Sequence, residues 1–362
     1  IPVMQNLIKR SGIDPVIIDD VIWGCNYQRT YKENNLARVA AVKAGLPVTV
    51  PGITIHRNCT SSMSAIQMGF YQIRAGEAEC IMAGGSDSMS TAPHMVFNAR
   101  YGQKYGHMEM RDSMWDSLTN LGVGPAMGIT AENVADKYGI TREQMDAYSL
   151  RSQQRAVAAI DAGRFEEEII PVTVKSRKSE TVYTVDEYPK RNATLEGLQK
   201  LKPAFKEGGK VTAGNASGMN DASSGVILMS EEKAKELGCP IIAKVVSVAT
   251  TGVEPELMGI GPISSTKKAL EKAGLTVDDI DLFEINEAFS SQCLACQKEL
   301  GVPDEKLNVN GGGISLGHPV GATGSRIVIT LMYELKRRKQ RYGVATLCAG
   351  GGMGTTVVIE MQ

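Results

Sequence analysis

The residues best suited to covalent chemistry are a cysteine and a histidine, each followed by a helical pattern. Cys59 lies between a strand-like stretch, residues 50–55, and a helical pattern that begins at residues 60–62. A thiol at a helix N-terminus experiences the positive end of the helix dipole and free N–H groups, which lower its pKa towards that of a usable thiolate. His318 lies in the glycine-rich run 310–324, where the backbone can approach a substrate closely. Together they predict a nucleophile and a base.

Two further positions could take part in the same chemistry. Cys348 ends an apolar strand pattern and precedes the glycine-rich loop 349–354, which could bring a thiol and free N–H groups to one spot, as an oxyanion requires. Asn286 follows another apolar strand pattern. From the residues alone it is either a helix N-cap or an amide that polarises a substrate, and both interpretations stay open.

Several familiar motifs do not fit. The glycines after Cys348 lack the spacing and the following βαβ unit of a dinucleotide site, and residues 84–88 are not a hydrolase elbow. Cys293 and Cys296 form a single pair without a second ligand pair, so we expect no metal site.

An internal repeat suggests how these residues meet. A helix ending at Gly12 and followed by a strand has a counterpart in a helix ending at Gly274, 262 positions later. The same offset brings the counterpart of Cys59 within a few residues of His318, and the helices and strands that follow also correspond. A pseudo-two-fold axis would bring the two loops together.

The repeat predicts two similar α/β halves with an insertion in the first. We expect residues 1–86 plus 210–240 to form the N-terminal half, 87–209 to form an inserted loop domain over the site, and 241–362 to form the C-terminal half. Strands alternating with helices imply sheets covered by helices.

Composition narrows the class of protein. Basic and acidic side chains number 39 and 40, so the net charge of −1 gives no attraction to nucleic acid or an anionic membrane. No apolar run approaches the ~18 residues of a membrane span. Seven scattered cysteines argue against a secreted disulfide framework and favour a reducing compartment, which we take to be the cytoplasm. An import signal before Ile1 stays open.

Five segments together resemble the thiolase family: residues 58–63, 215–218, 286–289, 317–319 and 348–354. They occur in the family's order over the whole chain. Relative to the family, the first strand and the start of the first helix are expected before Ile1. The resemblance implies a five-layer α-β-α-β-α fold of duplicated halves and a reversible Claisen condensation of coenzyme A (CoA) thioesters.

The resemblance also implies roles for the site residues. Cys59 would carry the acyl group, His318 would take its proton, and Cys348 would exchange a proton with the α-carbon of the second thioester. One oxyanion hole would use His318 with a water held by Asn286, and the other the N–H groups of Cys59 and Gly350. This favours the functional interpretation of Asn286.

Further residues match family positions around the substrate. Ser217 resembles the serine near the pantetheine, and Lys190 and Arg191 are the nearest cations for a CoA phosphate. The thioester pocket would be lined by Leu118, Met127, Met258 and Phe289.

The acyl chain length stays open. Ala126 replaces a histidine of the biosynthetic short-chain enzymes, which implies a roomier pocket, whereas residues 194–205 resemble the short-chain group.

The implied partners are acetyl-CoA and 3-ketoacyl-CoA, with no bound cofactor, in a homodimer or homotetramer. Two rival interpretations are a decarboxylating ketoacyl synthase and a thiolase-like subunit that binds acyl-CoA or a partner without catalysis. The second thiol, Cys348, argues against the first, and the presence of Cys59, Asn286, His318 and Cys348 argues against the second.

Overall fold

The computed structural model describes residues 1–175, 177 and 179–362. Its strands, numbered in chain order, are β1 (Asp20–Gly24), β2 (Gly52–Ile55), β3 (Cys80–Ser88), β4 (His94–Val96), β5 (Met110–Asp112), β6 (Val172–Lys175), β7 (Glu180–Tyr183), β8 (Asp221–Met229), β9 (Ala243–Gly252), β10 (Leu282–Ile285), β11 (Tyr342–Ala349) and β12 (Met353–Met361). Its α-helices are α1 (Pro2–Ser11), α2 (Leu36–Ala44), α3 (Ser61–Ala75), α4 (Ser113–Thr119), α5 (Met127–Lys137), α6 (Arg142–Asp161), α7 (Leu195–Gln199), α8 (Glu231–Glu236), α9 (Gly261–Ala273), α10 (Ser290–Leu300), α11 (Gly313–Leu316) and α12 (Thr323–Arg338).

The two four-stranded sheets share a core of three strands, and their fourth strands lie at opposite edges, β2 beside β1 and β9 beside β12. The first has the order β2-β1-β3-β8 and the second the order β10-β11-β12-β9. In the first, β1 runs parallel to β3, which runs antiparallel to β8; in the second, β10 runs parallel to β11, which runs antiparallel to β12. The correspondence of β1, β3 and β8 with β10, β11 and β12 matches the predicted duplication.

The helices divide the molecule into five layers. Helices α1 and α2 cover the outer face of the first sheet, α9 and α10 lie on the outer side of the second, and α3 and α12 lie between the two sheets. The outer layers bury Trp23 on one side and Phe283 on the other. The middle layer buries Met63 of α3 against residues of α12 such as Leu331. This arrangement sets the N-termini of α3 and α12 beside each other.

The seam between the halves leaves no room for side chains at its centre. The strand pattern of residues 79–83 followed by two glycines predicts a strand that ends at Gly84-Gly85. In the structure β3 continues to Ser88, because both glycines remain paired with β8. A β-carbon on Gly85 would lie 1.9 Å from the carbonyl oxygen of Gly321 in the other half, and one on Gly324 would lie 2.4 Å from the amide nitrogen of Met63. Glycine is therefore required where the two central loops cross.

The segment between β3 and β8, which we call the cover, packs against the C-terminal half. It contains the hairpins β4–β5 and β6–β7 and the helices α4 to α7. Ala131 and Val134 of α5 pack with Phe289 and Ala295 in one buried cluster, so this segment is anchored to the C-terminal half. Within the described residues, no helix has the length and apolarity that crossing a bilayer would demand.

Candidate active site

Cys59 is held at the entrance of α3 by a strained neighbour. Asn58 has φ of 45°, in the left-handed region, and its side-chain Nδ2 donates to the carbonyl oxygen of Gly350 at 2.8 Å. The Cys59 sulfur accepts the N–H groups of Cys59 itself and of Gly350. The loop after β11 in the C-terminal half therefore supplies one of the two N–H groups that face this thiol.

The thiol of Cys59 is not a preformed thiolate, and our expectation of a lowered pKa is wrong. Burial raises the pKa of Cys59 to about 11. The two backbone N–H groups lower it, but they offset only part of the desolvation cost, and the nearby carboxylate of Asp87 raises it further. The helix dipole alone does not decide the charge of a thiol that is removed from water.

Hydrogen bonds around His318 determine which ring nitrogen carries the proton. The Nδ1 atom lies 2.7 Å from the hydroxyl of Thr323, and that hydroxyl lies 2.9 Å from the carbonyl oxygen of Pro319. A carbonyl can only accept, so the Thr323 hydroxyl donates to Pro319 and must accept from Nδ1–H. The neutral ring therefore keeps a lone pair on Nε2, the atom that is left to act as a base.

The imidazole of His318 is neutral around pH 7. Burial, reinforced by the positive charge of Arg326, lowers the pKa of His318 to about 3. Because His318 is neutral and Cys59 is protonated, the resting pair is uncharged. Proton transfer from the thiol must accompany attack on the substrate rather than precede it.

Asn286 lies against the imidazole of His318. Its amide nitrogen is 3.4 Å from each ring nitrogen, and its backbone N–H continues the pairing of β10 with β11 through Thr346. The N-cap interpretation is wrong, because α10 begins at Ser290 with Phe289 at its N-cap. The Asn286 Oδ1 atom is buried and, among the described residues, has no hydrogen-bond partner. It is therefore free to hold a water or a substrate atom.

Cys348 lies at the end of β11 and is fully buried. Burial raises the pKa of Cys348 well above its ordinary value, and the negative charge that Cys59 would carry as a thiolate raises it further. The side chain of Asn58, next to Cys59, donates to the carbonyl oxygen of Gly350, two residues after Cys348, so the segments that hold the two thiols are in contact. Cys59 also packs against a small apolar cluster that includes Val320, two residues after His318. The structure thus brings both thiols and the histidine loop to one place.

The predicted pocket residues divide into two groups. Met127, Met258 and Phe289 pack in the same cluster as Cys348, so three of the four line its surroundings. Leu118 lies half-buried in α4 and is not a member of that cluster.

Of the residues expected to hold CoA, the nearest to this cluster is Ser217. Its N–H donates to the carbonyl oxygen of Ala288, next to Phe289. Lys190 is exposed, with its ammonium over the ring of Tyr188, and exposed Arg191 is paired with Asp161.

Two supporting residues were not predicted from the sequence. Thr323, five positions after His318, is a hydroxyl within the same loop, and that proximity is the signal that could have identified it. Buried Asp87, near the end of β3, accepts the backbone N–H groups of Asn26, Tyr27 and Gly321. Asp87 therefore fixes the histidine loop to the N-terminal half. Its position after the glycines of β3 does not reveal this role in the sequence.

Comparison with known proteins agrees with this fold and identifies the family. The chain matches the family models for the thiolase N-terminal domain over residues 2–232 and the thiolase C-terminal domain over residues 239–361. The chain belongs to the thiolase family.

Individual relatives are similar over nearly the whole chain. An acetyl-CoA acetyltransferase of Syntrophomonas wolfei is 50% identical, with 99% of this chain and 91% of that protein covered. The crystal structure of the Bacillus anthracis acetyl-CoA acetyltransferase has a TM-score of 0.97 at 48% identity, with 100% of this chain and 91% of that chain covered. Human mitochondrial 3-ketoacyl-CoA thiolase in complex with CoA has a TM-score of 0.96 at 43% identity, with the same coverage.

Proposed function

We propose that the protein is a thiolase that interconverts 3-ketoacyl-CoA plus CoA with acyl-CoA plus acetyl-CoA through an acyl-cysteine intermediate. For the shortest substrate the reverse reaction joins two acetyl-CoA molecules into acetoacetyl-CoA. One observation carries the proposal: two thiols, Cys59 and Cys348, lie in contacting segments, and the loop of the neutral histidine, His318, packs beside Cys59. A single-thiol acyltransferase would need no second buried thiol beside the first.

Cleavage begins with the Cys59 thiol. Its sulfur attacks the 3-keto carbon while its proton passes to Nε2 of His318, the nitrogen that Thr323 leaves unprotonated. The N–H groups of Cys59 and Gly350 converge on this position and stabilise the negative charge on the reacting carbonyl oxygen. Because both partners start uncharged, the step needs no stored ion pair.

Carbon–carbon cleavage then releases an enolate of acetyl-CoA. Its oxygen accepts from the Nε2–H group that His318 gained from Cys59. It also accepts from the Asn286 amide, either directly from the NH₂ group or from a water held by Oδ1. The Cys348 thiol gives its proton to the α-carbon, and in the condensation direction its thiolate removes that proton. Its raised pKa keeps Cys348 protonated at rest, which suits the acid role. CoA finally takes the acyl group: its thiol returns a proton to Cys348, its sulfur attacks the acyl carbon, and Cys59 leaves with the proton that His318 held.

The CoA thioester is proposed to lie under the inserted segment. Met127, Met258 and Phe289 would contact the acyl end, Leu118 the entrance and Ser217 the pantetheine. Lys190 is the better candidate for a CoA phosphate, because the ammonium makes no ion pair among the described residues while Arg191 is paired with Asp161.

Acyl length is a second part of the proposal. Ala126 is the residue immediately before α5 and has no polar side chain to offer a substrate. We therefore propose that acetoacetyl-CoA is accepted and that somewhat longer 3-ketoacyl chains are accepted as well. We further propose a homodimer or homotetramer working in a reducing compartment such as the cytoplasm, since both catalytic thiols must stay reduced.

The experiment is a turnover assay with purified protein. Acetoacetyl-CoA and CoA are mixed and the loss of the enolate absorbance of the substrate is followed, then a 3-ketoacyl-CoA series from C4 to C16 is compared. We expect turnover and an acylated Cys59 peptide by mass spectrometry. No turnover of any chain length would refute the enzyme and favour a subunit that only binds acyl-CoA.

A further inference from the structure

A buried carboxylate next to Asn286 has no part in the chemistry above. Glu287 is 1% exposed. Its Oε1 accepts the Tyr148 hydroxyl and the Asn308 amide, each at 3.1 Å. Its Oε2 accepts the Ser152 hydroxyl at 2.6 Å and the backbone N–H of Ile314 at 3.1 Å.

Among the described residues, the hydrogen-bond partners of this carboxylate are neutral groups rather than cations. Within the part of the chain that the structure describes, Glu287 makes no ion pair with a lysine, arginine or histidine. A carboxylate buried among neutral donors is costly unless each lone pair is filled, and here four donors fill them. Truncating the side chain would leave all four without their acceptor. The arrangement therefore fixes the four donor segments relative to one another.

The four donors come from the three segments that surround the histidine loop. Tyr148 and Ser152 belong to α6 of the inserted segment, and Ile314 lies in the glycine-rich run that leads to His318. Asn308 uses the rest of its side chain to pair with both the N–H and the carbonyl of Ile285, the residue before Asn286. Glu287 thus joins the cover, the end of β10 and the histidine loop.

The packing around this carboxylate is tight enough to transmit a displacement. A β-carbon on Gly312 would lie 2.5 Å from the carboxyl carbon of Glu287, and one on Gly313 would lie 2.9 Å from Oδ1 of Asn286. The glycine turn therefore rests directly on Asn286-Glu287. A shift of the carboxylate moves the amide of Asn286 and the turn together.

We infer that Glu287 is a positioning residue that holds the Asn286 amide, through the glycine turn 312–313, in register for the enolate step. This inference rests on the proposed function. It separates two half-reactions, because the enolate needs Asn286 whereas acyl transfer onto Cys59 uses the N–H groups of Cys59 and Gly350. The His318 ring has its own support in Thr323, which does not contact Glu287.

The test is Glu287→Gln, which preserves size and loses the charge. A glutamine has one oxygen and one NH₂ group, so its NH₂ must face either the Asn308 amide or the Ile314 N–H, and both are donors. Two rates are measured for each variant: exchange of labelled CoA into acetyl-CoA, which needs only the acyl-enzyme, and cleavage of acetoacetyl-CoA, which also needs the enolate. Both are normalised to the number of Cys59 sites that can be acylated.

We expect cleavage per acylated site to fall by about 10- to 100-fold, less than the ~10²–10³ of losing an oxyanion donor outright, while exchange changes by less than about threefold. Equal losses in both rates, or no loss, would overturn the inference. If the wild-type protein itself performs neither reaction, the proposed function is refuted instead.

Two further variants protect the test against a general loss of stability. Ser152→Ala removes one donor and is expected to give a smaller selective loss of cleavage, about 3- to 10-fold; without any selectivity in a folded Ser152→Ala protein, the inference fails even where Glu287→Gln does not fold. The matched control is Glu132→Gln on α5, another buried carboxylate, which accepts the N–H groups of Lys210 and Val211. We expect this control to keep the wild-type ratio of cleavage to exchange, and a shift of that ratio as large as that of Glu287→Gln would overturn the positioning role.

Discussion

Replacing Thr323 with valine tests whether one hydroxyl decides the protonation of His318. Valine keeps the shape of threonine but removes the oxygen that accepts from Nδ1 at 2.7 Å. The change leaves the Nδ1–H group buried without an acceptor, since the residue containing it is 6% exposed. The tautomer with the proton on Nε2 then becomes more stable, and in that tautomer Nε2 cannot accept the proton of Cys59.

The size of the effect follows from the lost hydrogen bond. An unsatisfied buried donor costs about 1–3 kcal/mol, and each ~1.4 kcal/mol corresponds to a factor of ten in a population or a rate. If this cost is the bias towards the active tautomer, acylation of Cys59 slows by roughly 5- to 150-fold. The KM for acetyl-CoA should change little, because the Thr323 side chain is fully buried and, within the part of the chain that the structure describes, its hydroxyl bonds only to His318 and Pro319.

The assay is rapid quench of the protein with acetyl-CoA, followed by intact-mass measurement of the acyl-enzyme. Thr323→Ser restores a hydroxyl and is expected to recover most of the rate. Thr266→Val removes another buried hydroxyl, bonded to Thr356 on the far side of the second sheet, and controls for general destabilisation. Nitrogen NMR of labelled histidine reports the tautomer directly. Acylation at the wild-type rate in Thr323→Val, with unchanged nitrogen shifts, would refute the reasoning.

Other changes give distinct outcomes. Cys59→Ala should abolish the acyl-enzyme seen by mass spectrometry, and an acylated variant would mean that another thiol is the nucleophile. Cys348→Ala should still form the acyl-enzyme from acetyl-CoA but lose condensation, so retained condensation would contradict its role as acid and base. Gly350→Ala places a β-carbon 2.7 Å from a terminal methyl group of Leu121, which can turn aside, so the oxyanion N–H should stay in place and acylation, measured by the same quench, should slow by less than about tenfold; a larger loss would mean that the backbone N–H had moved. The pKa of His318 is lowered from 6.5 to about 3, so between these values the unfolded chain binds a proton that the folded chain does not. The free energy of unfolding should therefore fall as the pH drops below 6.5, by up to ~1.4 kcal/mol per unit, and thermal melts of His318→Asn should lose this part of the slope; an identical slope in the variant would contradict the low pKa.

Much of the fold was predictable because the sequence contains the same order of helices and strands twice. Matching the helix that ends at Gly12 with the one that ends at Gly274 gave two similar α/β halves, and three strands of each sheet follow the same order. Local patterns of apolar residues carry that information. The end of β3 was predicted wrongly at Gly84-Gly85, because glycine often ends a strand and only the crossing of Gly321 explains why it does not here.

The supports of the site could not be read in the same way. The hydrogen bonds of Glu287 join residues up to 139 positions apart. In the sequence, Glu287 looks like an ordinary residue of the first turn of a helix that Asn286 would cap. The pKa of Cys59 was predicted in the wrong direction because a helix N-terminus is visible in sequence, whereas the loss of water around the sulfur depends on the other half of the molecule. Long-range burial is the missing information in both cases.

The glycine crossing at Gly85 and Gly321 has a mechanical consequence. Two segments that leave no room for a methyl group between them move as one rigid block. A hinge motion that opens the two halves for substrate is therefore excluded. Movement that admits or releases a thioester must then come from the inserted segment. Kinetic control of access is therefore separated from the chemistry: changes in the cover can alter how fast a substrate arrives and leaves, while the spacing of the two thiols stays constant.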